Sequence, residues 1–82
     1  MNTCSDRSLF QRTIDAGWRE IRSLRQSGWS IESRYKEPNQ VYCYVLLNRK
    51  QYRRLFVEVQ PLWGLVVVRN GRCNVRLIDV SK

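Results

Sequence analysis

Two groups of basic residues stand out in the chain, Arg49, Lys50, Arg53 and Arg54 around one segment and Arg69, Arg72 and Arg76 around another. Tyr42, Tyr44, Tyr52, Phe56 and Trp63 are interleaved with them. A planar guanidinium makes paired hydrogen bonds to phosphate and stacks on flat rings, while aromatic side chains stack on unpaired bases. These residue types point to binding of a polyanion, nucleic acid foremost, rather than to bond-making chemistry. The overall balance agrees: 82 residues carry 15 Lys plus Arg against 7 Asp plus Glu, a formal charge of +8. A field of that sign raises the rate of encounter with polyanions.

Histidine is absent, which removes Ser/His/Asp and Cys/His catalysis together with any His-containing zinc site. Cys4, Cys43 and Cys73 lie far apart with no CxxC pair, so neither a structural metal nor a cofactor is expected. Cys43 and Cys73 fall in apolar strand patterns and read as small buried hydrophobes, and Cys4 as part of a frayed end. The four glycines are isolated, which leaves no P-loop, dinucleotide turn or nucleophile elbow. No catalytic or metal-ligating residues are assigned, and an enzyme is not expected.

Around these residues the periodicity sets out the elements. Ser5-Asp6 supplies N-cap chemistry, and Phe10, Ile14, Trp18, Ile21 and Leu24 form one face of a helix over residues 6–26. Gly17 sits within that stripe and marks a close approach to whatever the helix covers. Ser27-Gly28 ends the helix, with Trp29 positioned to fold back on Leu24. The outer helix face carries Arg12, Asp15, Arg19 and Arg22. From Trp29 onward the period is 2, with Trp29, Ile31 and Tyr35 alternating against Ser30, Glu32, Arg34 and Lys36, giving strands over 29–36, 41–48, about 51–60, 63–69 and 72–80. Glu37-Pro38-Asn39-Gln40 forms the first turn. Pro61 ends the third strand, and Asn70-Gly71 is a strong hairpin signal. The fold class is therefore α+β: one N-terminal helix on a curved five-stranded antiparallel sheet, a single small basic domain over 1–82. No run approaches the ~20 apolar residues of a membrane span. The amino terminus has no basic start or apolar core of a secretory signal, so the expected location is cytoplasmic, with no membrane partner.

A two-residue loop at Asn70-Gly71 sets Arg69 opposite Arg72, with Arg76 on the same face as both. It also places Val66, Val68, Cys73, Val75 and Leu77 together on the core side. In the middle strands the aliphatic sets Val41, Cys43, Val45, Leu47 and Leu55, Val57, Val59 read as buried. Tyr42, Tyr44, Tyr52, Phe56 and Trp63 then lie on a face that one helix is too narrow to cover. That face is open to three uses: a second core if the sheet curls, a homodimer interface, or a nucleic-acid surface.

Two short resemblances to nucleases bear on the last use. Phe56-Val57-Glu58-Val59-Gln60 resembles the strand of restriction-type nucleases that ends in Glu-x-Gln, but no Asp lies between Asp15 and Asp79 to share a cation with Glu58. Tyr52 to Val59 resembles the central strand of RelE-type toxin ribonucleases, over about ten residues. The chain has one long helix where that family has two, and it lacks a recognisable catalytic tail. The expected function is a non-catalytic nucleic-acid-binding protein. Its binding residues are Arg69, Arg72, Arg76, Arg49, Lys50, Arg53, Arg54, Tyr42, Tyr44 and Trp63. The alternative is a protein-binding accessory or inhibitor module of the kind phages and mobile elements encode, acting by occupying a partner's surface, with homodimerisation as one form of it.

Overall fold

The computed structural model describes residues 8–81. Helix α1 (Leu9–Gln26) leads into five strands, β1 (Ser30–Glu37), β2 (Val41–Asn48), β3 (Arg53–Gln60), β4 (Leu65–Asn70) and β5 (Cys73–Asp79). They form one antiparallel sheet in the order β1-β2-β3-β4-β5. The expected α+β architecture is what the chain adopts.

Helix α1 starts three residues later than a Ser5-Asp6 cap implied. Ser8 is the N-cap, and its hydroxyl accepts a hydrogen bond from the Gln11 backbone N–H at 3.1 Å. Ser8-Leu9-Phe10-Gln11 carries the S-x-x-Q spacing of a capping box, a signal that outranks Ser5-Asp6. Ser5, Asp6 and Cys4 lie outside the described residues. The other end follows expectation. Gly28 takes φ 100°, Trp29 N–H donates to the Leu24 carbonyl at 3.1 Å and Gly28 N–H to the Arg25 carbonyl at 3.1 Å, the paired bonds of a Schellman motif.

Helix and sheet meet closest at Gly17. A Cβ built there would lie 2.5 Å from Val59 Cγ2, so only glycine lets the helix backbone approach β3 this closely. Around this point Ala16, Ile21, Leu46, Leu55, Val57, Val59, Val66 and Val68 form the core, with Ile14, Leu24, Trp29, Ile31, Tyr42, Tyr44, Ile78 and Val80 packed against it. The buried helix face is rotated toward Thr13, Ala16 and Glu20, which leaves Trp18 at its margin rather than its centre. Thr13 is fully buried and satisfies its hydroxyl by donating to the Leu9 carbonyl at 2.6 Å.

Three expectations about strand faces are corrected by the register. In β2, Tyr42 pairs with Val59, Tyr44 with Val57 and Leu46 with Leu55. Directly opposed residues share a face, so both tyrosines lie on the helix-bearing side, and Cys43, Val45 and Leu47 lie on the other. Alternation was read correctly, but the aliphatic set was taken as the helix-facing one. Tyrosine packs its ring against a core edge as readily as leucine while its hydroxyl stays wet.

In β1, Ile31 pairs with Leu46 and Ser33 with Val45, leaving Glu32 as a bulge. The extra residue turns Arg34 and Lys36 to the helix side and Tyr35 to the open side. In β5, Asn70 pairs with Cys73 and Arg69 with Asn74, so the loop is Gly71-Arg72 rather than Asn70-Gly71. Gly71 has φ 65° and Asn70 is not left-handed; glycine at the first corner is the pattern of a II′ turn. A second bulge at Val75 then sets Val68 opposite Arg76 and Val66 opposite Ile78. Val75 and Leu77 are consequently exposed instead of buried, Cys73 beside the turn is exposed as well, and Ile78 takes the place against the core.

Candidate nucleic-acid interface

The two bulges decide where each candidate residue sits. Arg69, Arg72 and Arg76, expected as one anion-binding cluster, do not assemble. Arg69 lies on the open face opposite Phe56, Arg76 on the helix side opposite Val68, and Arg72 at the tip of the β4–β5 turn. Two of the three are also engaged: Arg69 Nη2 lies 3.4 Å from Glu58 Oε1, and Arg76 Nη1 lies 3.7 Å from Glu20 Oε2. Arg54 is held on both sides by Glu32, with Nε at 2.7 Å and Nη2 at 3.1 Å. Those bonds hold the Glu32 carboxyl below the usual carboxylate range. The glutamate exposed by the first bulge thus neutralises an arginine expected to bind phosphate. Trp63 sits in the β3–β4 turn, ahead of β4, and is exposed.

Arg49, Lys50 and Arg53 remain together and exposed around the β2–β3 turn. The turn is built by Asn48, whose buried Oδ1 accepts from Lys50 N–H at 3.1 Å and Gln51 N–H at 3.2 Å. Arg49 and Lys50 line a recess beside Ser27 and Gly28 at the carboxyl end of α1, where the helix's partial negative charge favours cations.

The stronger arrangement lies on the helix-bearing side. Helix α1 packs mainly on β3 and meets β4 and β1 to a lesser, similar extent, with less against β2, so the Tyr42–Tyr44 stretch of β2 and the Arg34–Lys36 stretch of β1 beside it form the floor of a groove. Tyr42 and Tyr44 are on that floor. Arg34 and Lys36, turned to this side by the Glu32 bulge, form one wall and with Tyr35 and the two tyrosines line a shallow, open hollow of about 220 Å³. Lys36 Nζ stands 5.4 Å from the Tyr42 ring centroid, a cation–π contact. From the opposite wall Trp18 meets Tyr44 edge to face, with centroids 5.4 Å apart and planes at 60°. Burial holds the Tyr44 hydroxyl above the usual tyrosine range, so it stays a neutral hydrogen-bonding group. Trp18 also borders a shallow opening of about 640 Å³ shared with Arg12, Asp15, Arg19 and Arg22. Arg22 and Arg25 follow Trp18 at the i+4 and i+7 positions and share its side of the helix.

Of the sequence candidates, the structure brings Tyr42 and Tyr44 to this groove and leaves Arg54, Arg69, Arg72, Arg76 and Trp63 away from it. Trp18, Arg22, Arg34 and Lys36 were missed. The alternation of Arg34 and Lys36 was visible, but a bulge was needed to turn it toward the tyrosines. No protein-family model, no curated protein and no solved structure matches this chain. No helix among the described residues is long and apolar enough to cross a membrane.

The open face has a different character. Cys43, Val45 and Val67 are buried there without a covering helix. Burial, with Glu37 and Glu58 nearby, pushes the Cys43 thiol up to about 11 from 9.0. Because the neutral thiol is the form favoured in the fold, its contribution to stability is complete below pH 9.0 and is lost as pH rises toward 11. A series of thermal melts across that interval should show Tm falling less in Cys43→Ala than in the parent. The exposed Cys73 should react with a thiol reagent at least about tenfold faster than Cys43 at neutral pH; equal rates would contradict the assigned burial.

Proposed function

We propose that this chain is a non-catalytic nucleic-acid-binding protein that uses the groove between α1 and β1. The observation that carries the reading is the joining of basic and aromatic side chains on one side of the sheet: Tyr42 and Tyr44 with Arg34 and Lys36 on one flank, and Trp18 against Tyr44 on the other, where Trp18 in turn borders the opening that Arg12, Asp15, Arg19 and Arg22 share. The hollow lined by Arg34, Tyr35, Lys36, Tyr42 and Tyr44 has no acidic side chain in its lining, and the charge of +8 supplies long-range attraction. The exposed cluster Arg49, Lys50 and Arg53 adds to the field.

Phosphate neutralisation makes affinity depend on salt, at about 0.7 of a logarithmic unit per contact for a single strand. Three to five contacts by Arg22, Arg34, Lys36 and their neighbours give a slope of log K against log salt between about −2 and −4. Anisotropy titrations of a labelled mixed-sequence oligonucleotide across a salt series check this, and a slope near zero would reject the reading.

A protein-binding module is the second reading, and one observation favours it: Val75 and Leu77 on the edge strand β5 are 58% and 59% exposed, an uncovered apolar edge of the kind that pairs with another chain. Light scattering of nuclease-treated protein separates the two, since a stable dimer or a stoichiometric protein complex without nucleic acid supports the second.

A further inference from the structure

We infer that the ligand of this groove is specifically a single strand, RNA or DNA, held with its bases toward the Trp18–Tyr44 pair and its phosphates toward Arg34 and Lys36; this rests on the nucleic-acid reading above. The geometry carries it in three steps. The floor is two strands wide, about 10 Å at the usual inter-strand spacing, and it is bounded by a helix on one side and by the long side chains of an edge strand on the other. A duplex keeps its base faces stacked on one another and offers only edges and phosphates. A ring face in this groove therefore finds a nucleic-acid partner in an unstacked base and not in a duplex.

The rings differ in what they offer. Lys36 already caps Tyr42 at 5.4 Å, so Tyr42 serves to hold the ammonium in place. Trp18 and Tyr44 brace each other edge to face, which fixes their orientation before binding and lowers the ordering cost of stacking a base on them. Arg34 stands one residue position from Tyr35 and opposite Tyr44 across the β1–β2 ladder, so a base on the Tyr44–Trp18 pair has its backbone within reach of a guanidinium. Every base has a stacking face, so recognition of this kind tolerates many sequences.

The test is a set of anisotropy titrations with labelled ten-residue oligo(dT), oligo(rU) and a duplex of mixed sequence, at one moderate salt concentration, on the parent protein and on Trp18→Leu and Tyr44→Leu. Leucine keeps apolar volume against the core while removing the ring, and a thermal melt of each variant shows that it is folded. The expected result is single-strand binding at least about tenfold tighter than duplex binding, with each leucine variant losing about tenfold for the single strands and little for the duplex. Equal affinity for single strand and duplex, or leucine variants that bind like the parent, would overturn the single-strand inference and leave the polyanion reading standing. Absence of binding to all three would overturn the nucleic-acid reading itself. Should a leucine variant melt early, Arg34→Ala, which alters an exposed side chain only, supplies the second comparison, and an unchanged single-strand affinity there overturns the inference equally.

Discussion

Arg34→Glu/Lys36→Glu should lower affinity for a single-stranded oligonucleotide by about 100-fold or more while leaving the melting temperature within a few degrees of the parent. Hydrogen bonds to charged groups contribute about 1.5–3 kcal/mol each, and reversing both charges of the β1 wall removes two such contacts and replaces them with repulsion. Both side chains are exposed on edge strand β1, so folding loses only the Lys36–Tyr42 contact. The matched control is Arg69→Gln/Arg72→Gln. Arg69 is paired with Glu58 on the opposite face of the sheet, and Arg72 lies at a turn distant in register from the groove. That control should change affinity by no more than a few-fold, through loss of net charge alone. Titrations with both variants check the pair of expectations, and a larger effect in the control would move the interface to the other face.

The second large effect concerns the fold that positions the groove. Gly17→Val should destabilise the protein by about 3 kcal/mol, the upper part of the usual range for overpacking, which for a chain of this size lowers Tm by about 12–24 °C. The first atom of any side chain at position 17 meets Val59 Cγ2 at 2.5 Å, and the contact lies where α1 crosses β3. Val59→Ala in the same molecule opens space at that point, so the double variant should recover part of the loss. In a set of four melts, additive effects of the two substitutions would contradict direct contact. Because α1 supplies one wall of the groove, Gly17→Val should also weaken oligonucleotide binding at temperatures where the protein remains folded.

Much of this architecture was legible in the residues. The change of period at Gly28, Pro38-Asn39 at the first turn and Pro61 after β3 are local signals that act locally, and each produced the expected element. Gly17 as the point of approach and Trp29 as the Schellman residue followed from stereochemistry alone. What failed were the faces, and the failure has a physical source. A bulge inserts one unpaired residue and inverts every side chain beyond it, yet Glu32 and Val75 differ in no compositional way from their alternating neighbours. The bulge at Val75 exposed Leu77 and moved Arg76 to the face opposite Arg69, and the Gly71-Arg72 loop put Arg72 at the turn tip; the bulge at Glu32 turned Arg34 and Lys36 toward Tyr42 and Tyr44. Residue chemistry therefore pointed toward arginines and rings, while the particular residues brought together depended on two register shifts that only the folded sheet displays.

Chemical-shift mapping addresses the groove most directly. In a ¹⁵N–¹H titration of the labelled protein with a single-stranded decanucleotide at moderate salt, the largest perturbations should fall on the Trp18 indole N–H and on the amides of Arg34, Lys36, Tyr42 and Tyr44. Phe56 and Arg69 on the far side of the sheet should move little. Perturbations centred on Phe56 and Arg69, or a spectrum unchanged at saturating oligonucleotide, would contradict the groove as the binding surface.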